Sequence, residues 1–191
     1  MLGPIEALVE GRPAGLTAGK QRALLAALLI DAGRTVPVDV LIDRLWGERP
    51  PPTAVKNVQV LVSQLRRLLG ADAITTDGSG YRLRDEAADV TTFTALLESG
   101  RAELAAGDAR EAERTLDEAL ALWRGRPYED VQYEDFAREE AARLEDLRLD
   151  AMEERFQAML DGGRHVQALP GLRALARAHP LRPRTSARFS R

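Results

Sequence analysis

The chain has 191 residues, of which 45% are hydrophobic and 30% charged, and its formal net charge is −3. A chain of this size and hydrophobic content can bury one or two modest cores. No apolar run reaches the roughly 18 residues that span a bilayer, and the first residues lack the pattern of a signal peptide. The absence of cysteine excludes disulfides and thiolate metal sites. We expect a soluble, cytoplasmic protein that does not associate with a membrane.

The charges are segregated along the chain. Residues 1–84 carry 11 basic and 8 acidic side chains, residues 85–161 carry 9 and 22, and residues 162–191 carry 7 and none. A mildly basic head suits contact with nucleic acid, whereas DNA would repel the acidic middle segment. The middle segment is therefore expected to face solvent or a protein partner.

The first 50 residues predict small strands followed by two helices. Glycine and proline punctuate two short apolar stretches within residues 3–17, which is typical of strands joined by a turn. Thr17 suits the N-cap of a helix over Ala18–Asp31. Beyond Thr35-Val36-Pro37, apolar residues at i, i+3, i+4 and i+7 predict a helix over Val38–Trp46. Three prolines at 50–52 then stiffen the loop that follows.

The segment Thr53–Leu69 predicts a helix with two contrasting faces. At about 100° per residue, with Val58 as zero, its apolar residues gather on a face that is predicted to be buried. These residues are Val58, Val62, Leu65 and Leu69, flanked by Val55 and Leu61. The opposite arc, from about 80° to 260°, contains no carboxylate. In angular order it carries Arg66, Gln59, Ser63, Lys56, Arg67, Val60, Gln64 and Asn57.

An arc of this composition predicts a polyanionic partner, because a solvated face in an acidic chain would normally mix both signs of charge. Lysine, arginine and serine bind phosphate, while glutamine, asparagine and arginine read base edges. Val60 could contact a thymine methyl group. The alternative is a solvated face that happens to lack acids.

The next residues, Ala73–Arg84, alternate around Gly78-Ser79-Gly80 and predict a two-stranded hairpin. Two helices followed by such a hairpin are the order of a winged helix-turn-helix module, whose second helix enters the major groove.

Several stretches then resemble a known family. KQRALLAALLIDAGRTVPVDVLIDRLWGERPP, VQVLVSQLRRLL and GYRL resemble the OmpR-type DNA-binding domain of the SARP regulators, the AfsR/DnrI/RedD family. Downstream, ALALWRGRPYEDV and FAREEAARLEDLRLDAMEERF resemble that family's bacterial transcriptional activation domain. The resemblance implies domains at residues 1–86 and 90–191. It also implies an activator that binds repeated promoter sites and recruits RNA polymerase.

Carried over by position, the resemblance makes Thr53–Leu69 the recognition helix and Ala73–Arg84 the wing. The implied DNA-binding residues are Lys56, Asn57, Gln59, Val60, Ser63, Gln64, Arg66 and Arg67 on the helix and Thr75 and Thr76 on the wing. Tyr81 is expected to pack beneath the hairpin. Asp77 departs from the family, because many relatives have arginine or another neutral-to-basic residue at this position of the wing. A carboxylate there would repel phosphate and weaken the wing's contribution to binding. Ser63 and Gln64 replace arginines that are common in OmpR-type helices, which shifts recognition towards hydrogen bonding.

The second half predicts two helical pairs that resemble tetratricopeptide-like units. The first pair spans Thr91–Ala106 and Asp108–Arg124, and the second spans Tyr133–Leu160 and Arg164–Ala178. The small residues expected to let the first pair approach closely are Ala102, Gly107, Ala112 and Ala119. Trp123 and Tyr128 are expected to cap that pair.

The predicted fold class is therefore mainly α with small β-sheets, an α+β winged helix-turn-helix followed by an all-α tetratricopeptide-like repeat domain. Family members continue beyond the HPLR motif at residues 179–182 into further helices. The repeat domain is accordingly expected to be incomplete, and the start, MLGP, to be shorter than in relatives.

No catalytic pattern in the chain is complete. GLTAGK at residues 15–20 lacks both the preceding glycine and the following serine or threonine of a phosphate loop. His165 and His179 are the only histidines, and their spacing does not suit metal ligands. We predict no enzyme activity, no cofactor and no metal site.

Two classes of function remain open. The first is a sequence-specific DNA-binding activator of a biosynthetic gene cluster, with double-stranded promoter DNA and RNA polymerase as partners and either a homodimer or tandem copies on the DNA. The second is a helical-repeat protein-interaction module, or a gene remnant, with little DNA binding.

Overall fold

The computed structural model describes residues 1–9, 12–16, 19–84 and 89–180. The chain divides into two compact units. The first unit contains Met1–Thr91 and Arg124–Leu144, and the second contains Thr92–Trp123 and Glu145–Arg191. Within the described ranges, no helix is long and apolar enough to cross a membrane.

Three helices form the core of the first unit. They are α1 (Gly19–Ile30), α2 (Val38–Trp46) and α3 (Ala54–Leu69). The run from Ala23 to Leu28 is buried without interruption, because α2 and α3 both pack on α1. Gly47 and Gly70, with φ of 56° and 102°, follow the last residues of α2 and α3 in conformations that favour glycine. The predicted N-cap, Thr17, lies outside the described residues.

Two small antiparallel sheets complete the first unit. Their strands are β1 (Leu8–Val9) with β2 (Arg12–Pro13), and β3 (Thr35–Pro37), β4 (Ile74–Asp77) and β5 (Gly80–Leu83) in the order β3-β5-β4. The β4–β5 hairpin is the predicted wing. The sequence did not predict β3, since three residues are too few to reveal alternation. Gly80 permits the pairing of β3 with β5, because a Cβ atom there would lie 2.4 Å from the carbonyl oxygen of Val36.

The segment Arg124–Leu144, called the brace below, packs in the first unit. Tyr128 is 1% exposed, and its hydroxyl donates to the sulfur of Met1 at 3.1 Å. The backbone N–H groups of Arg124 and Tyr128 donate to the carbonyls of Leu2 and Met1. Burial, with Glu140 nearby, raises the pKa of the Tyr128 phenol. The prediction that Tyr128 caps the first helical pair is therefore wrong.

Helical pairs build the second unit. The helices are α4 (Asp89–Ala106), α5 (Ala109–Ala121), α6 (Asp135–Asp161) and α7 (His165–Ala178). Both α4 and α6 begin in the first unit and contribute their later residues to the second. A Cβ atom at Gly100 would lie 2.7 Å from Cγ of Leu116, and one at Gly171 would lie 2.4 Å from the ring of Phe156. Glycine thus allows close approach both of α4 to α5 and of α6 to α7.

The small residues between α4 and α5 are only partly those that the sequence indicated. Ala112 and Ala119 are fully buried, as predicted. Ala102 is exposed, and Gly107 lies in the turn between the helices with φ of 85°. Gly100, which the sequence pattern did not indicate, makes the close approach instead.

Trp123 contacts the first helical pair as predicted, with its ring edge-on to that of Phe93 at a centroid distance of 5.3 Å. The elements confirm the predicted fold class, a winged helix followed by paired helices.

Candidate nucleic-acid interface

α3 has one buried face and one exposed face. Its buried residues are Ala54, Val58, Val62 and Leu65. Helices α1 and α2 pack against this face of α3. Val55, which the sequence placed at the edge of the buried face, is 53% exposed, because Ala54 is the residue that packs inward at the first turn. The buried face is therefore narrower than predicted.

The centre of the polar arc is open to solvent. Five side chains between about 100° and 200° from Val58 are exposed, and they are called the open arc. They are Gln59, Ser63, Lys56, Arg67 and Val60. Within the described ranges, the four polar members form no side-chain hydrogen bond or ion pair. Asn57, at the edge of the arc, is half-buried, and α3 contains no carboxylate.

Neighbouring elements hold both edges of the polar arc. On one edge, Gln21 Nε2 of α1 donates to Gln64 Oε1 at 2.7 Å. On the other edge, Arg66 donates from Nε to the Ile74 carbonyl at 2.7 Å and from Nη2 to Thr76 Oγ1 at 2.9 Å. Both Gln64 and Arg66 are half-buried. The structure therefore separates the predicted DNA-binding residues into free and engaged groups.

The wing presents two threonines on opposite faces, because successive side chains of a strand alternate. Thr76 is on the face that meets α3, where its oxygen accepts a hydrogen bond from Arg66. Thr75 is on the other face and donates to the carbonyl of Arg82 at 3.4 Å. The two hydroxyls therefore cannot serve the same phosphate. Tyr81 is 8% exposed and packs beneath the hairpin, as predicted.

Asp77 is paired within the sheet. The hydroxyl of Thr35 donates to Asp77 Oδ2 at 2.6 Å, and Arg82 Nη2 lies 3.2 Å from the same oxygen. Asp77 and Arg82 each have a half-exposed side chain, so solvent screens the pair. The pairing offsets part of the repulsion towards phosphate that a free carboxylate would exert.

The side chains of the open arc suit the binding of a ligand. They offer ammonium, guanidinium, carboxamide, hydroxyl and methyl groups to a ligand. In the part of the chain that the structure describes, no group of three or more His, Asp or Glu side chains is arranged to hold a metal ion.

Two family models match the chain. The model "Transcriptional regulatory protein, C terminal" matches residues 11–83, which include α3 and the wing. The model "Bacterial transcriptional activator domain" matches residues 88–189. Regulatory protein DnrI of Streptomyces peucetius is 36% identical over 202 residues, covering 99% of this chain and 74% of DnrI. The chain belongs to the SARP family of transcriptional regulators.

Other relatives are longer than this SARP chain. Regulatory protein AfsR of Streptomyces griseus is 37% identical over 193 residues, which cover 96% of the chain and 19% of AfsR. The solved structure of Mycobacterium tuberculosis EmbR in complex with a low affinity phosphopeptide has a TM-score of 0.92 and 34% identity. The matched region covers 97% of this chain and 51% of the EmbR chain. The chain thus spans about a fifth of AfsR and half of EmbR.

Proposed function

We propose that this SARP chain is a sequence-specific DNA-binding transcriptional activator whose helix α3 enters the major groove. The open arc carries the proposal: five exposed side chains, four of them polar and unpartnered in the described ranges, on a helix with no carboxylate. The groove admits one α-helix, and packing on α1 and α2 holds this helix rigidly. Residues 1–86 are the proposed DNA-binding domain, and 90–191 the activation domain.

The five members of the open arc have different proposed roles. Lys56 and Arg67 neutralise phosphates and so position the helix without reading sequence. Gln59 forms a bidentate pair with adenine, Ser63 hydrogen-bonds a base edge, and Val60 contacts a thymine methyl group. Specificity therefore depends mainly on uncharged groups.

The predicted residues outside the open arc have supporting roles. Gln64 and Asn57, both half-buried, line the side of the groove. Thr76, on the face of the wing that meets α3, donates its hydroxyl to the DNA backbone. Thr75, on the other face, serves a neighbouring phosphate once its hydroxyl turns from the Arg82 carbonyl, to which it donates at 3.4 Å, towards the DNA.

The proposed partners are double-stranded promoter DNA and RNA polymerase. Membership of the SARP family supports activation, and the acidic residues 85–161 favour a protein partner over DNA. With only two cations on the open arc, one copy gains little affinity from phosphates. Tight binding therefore requires a second copy, as a homodimer or in tandem on repeated sites upstream of a biosynthetic gene cluster. These events belong to the cytoplasm, where bacterial promoters lie.

A selection from random double-stranded DNA tests the proposal with the full chain. The variant is Gln59→Ala, and its matched control is Gln167→Ala, since Gln167 is an exposed glutamine of α7. Wild type and Gln167→Ala should enrich one motif, whereas Gln59→Ala should lose about 1–3 kcal/mol of discrimination at one A·T pair. If wild type enriches no motif and binds all DNA equally, the proposal is wrong, and a helical-repeat interaction module describes the chain better.

A further inference from the structure

Arg66 contacts the wing through three groups. Its Nε donates to the Ile74 carbonyl at 2.7 Å, and its Nη2 donates to Thr76 Oγ1 at 2.9 Å. The centre of its guanidinium lies 5.9 Å from the centroid of the Tyr81 ring. Two directed hydrogen bonds and an aromatic contact use the planar fork of arginine, which lysine does not reproduce. The guanidinium is therefore committed to the protein.

The carbonyl that Arg66 binds lies on the free edge of the sheet. β4 is the outer strand in the order β3-β5-β4. The carbonyl of Ala73 accepts from the Arg84 amide, and in an antiparallel pair successive carbonyls point alternately towards and away from the partner strand. The next carbonyl, that of Ile74, thus points outward and has no strand to bind. Arg66 satisfies it from α3.

Arg67 provides the contrast. It follows Arg66 in α3 and carries the same charge, but it is exposed and forms no hydrogen bond or ion pair within the described ranges. The two guanidiniums leave the helix about 100° apart, so one meets the wing and the other meets solvent. Sequence alone gives the pair one role, whereas the geometry gives it two.

The bond to Thr76 also orients a donor. A hydroxyl has one hydrogen and two acceptor lone pairs. Because Thr76 Oγ1 accepts from Arg66, its hydrogen remains available to an acceptor outside the protein. A phosphate oxygen is such an acceptor.

We propose that Arg66 is a positioning residue, which fixes the wing at one distance and angle from α3 and directs the Thr76 hydroxyl at the DNA backbone. It reads no base. Only the direction of the Thr76 hydroxyl at DNA rests on the proposed function. The link between α3 and the wing exists without DNA.

Amide hydrogen exchange of the free, full chain tests the link. Arg66→Ala and Arg66→Lys should each speed exchange in residues 74–83 by about tenfold or more, since each loses hydrogen bonds from a charged group. Arg67→Ala should leave that exchange unchanged. Exchange in α1 reports whether each variant remains folded. If Arg66→Ala folds and its wing exchanges as in wild type, the positioning role is wrong.

Backbone footprinting on the selected DNA tests the consequence. Arg66→Ala, Arg66→Lys and Thr76→Val should each lose protection where the wing meets the backbone, yet retain the base motif. The double variant Arg66→Ala with Thr76→Val should lose little more protection than either single variant, because both substitutions remove the same link between α3 and the wing. Arg67→Ala should keep the wing protection and lower the salt slope by about 0.9.

Two outcomes would overturn the proposal in different ways. Full rescue of wing protection by Arg66→Lys would mean that Arg66 acts as a charge near phosphate. A relaxed base preference in Arg66→Ala would mean that it reads a base. If wild type binds no specific DNA, the proposed function fails, while hydrogen exchange still decides whether Arg66 holds the wing.

Discussion

Gln21 holds Gln64 by a hydrogen bond of 2.7 Å from its Nε2 to the partner's Oε1. The contact ties one edge of α3 to α1, the helix at the centre of the first unit's core. With Gln64 held by α1 and Arg66 held by the wing, α3 is fixed on both sides of its open arc. Rigid placement of this kind favours selective reading, because a misplaced helix would lose several base contacts at once.

Arg67→Ala should weaken binding to all DNA sequences by a similar factor. Loss of one phosphate contact lowers the slope of log K against log salt by about 0.9 and leaves the preferred motif unchanged. Titrations at several salt concentrations measure this slope. Arg173→Ala, which removes an exposed arginine of α7, is the matched control and should alter neither quantity. A changed motif with an unchanged slope would contradict a phosphate role for Arg67.

Gly80→Ala should destabilise the wing. Its new Cβ atom would lie 2.4 Å from the Val36 carbonyl oxygen, a backbone atom that cannot move without opening the β3–β5 pair. Overpacking of this kind costs at least about 1–3 kcal/mol. Chemical denaturation measures the loss in the free energy of unfolding, and Gly15→Ala, where nothing lies within 4 Å of the added atom, is the control. Equal stability of the two variants would argue against close packing of β3 on β5.

Tyr128→Ala should destabilise the first unit, although residue 128 lies outside residues 1–86. The buried ring belongs to the brace, and loss of a large buried aromatic side chain costs about 3–5 kcal/mol. Nearby, Arg22 Nε of α1 lies 3.3 Å from Asp130 Oδ2 of the brace. Faster hydrogen exchange in α1 is therefore the expected signal. Tyr133→Ala, which removes a tyrosine that is 87% exposed, should leave hydrogen exchange in α1 unchanged. Equal effects of the two variants on this exchange would show that the buried ring of Tyr128 does not stabilise the first unit.

Asp89 should make the first unit sensitive to acid. Burial alone would raise the pKa of its carboxyl, but hydrogen bonds to Oδ2 from the Met1 amine, the Leu2 amide and Arg124 outweigh burial and lower that pKa. The folded pKa then lies below the ordinary value of 3.8. The stabilisation is complete above that value and disappears as pH falls through the folded pKa.

Acid unfolding followed by circular dichroism tests this relation. Asp89→Asn should flatten the dependence of stability on pH in the acid range, because its side chain does not titrate. Asp72→Asn, at an exposed position, should retain the wild-type profile. Parallel profiles of stability against pH for Asp89→Asn and wild type would show that the Asp89 carboxylate contributes nothing to the acid sensitivity of the fold.

Periodicity predicted the helices well, because each helix is determined largely by residues three or four positions apart. α2 has the predicted bounds, and α3 begins one residue later than predicted. Periodicity also placed the open arc opposite the buried face. It could not distinguish Arg66 from Arg67, since the difference lies in contacts with β4, a strand that follows later in the chain.

Several features that the sequence missed are contacts between distant segments. Gln21 and Gln64 are separated by 43 positions, and Thr35 and Asp77 by 42. Tyr128 pairs with Met1 across 127 positions, so its neighbours in sequence gave no sign of its location. Such partners are set by tertiary packing, which local spacing does not encode.

Photo-crosslinking tests most directly whether the open arc of α3 faces DNA. A benzophenone amino acid is placed at position 60 or at position 166 of the full chain, where the native valines are 46% and 80% exposed. Each variant is bound to the selected DNA and irradiated. Position 60 should crosslink to bases within the motif, and position 166 should not. Bound protein that crosslinks from position 166 but not from position 60 would contradict major-groove reading by α3.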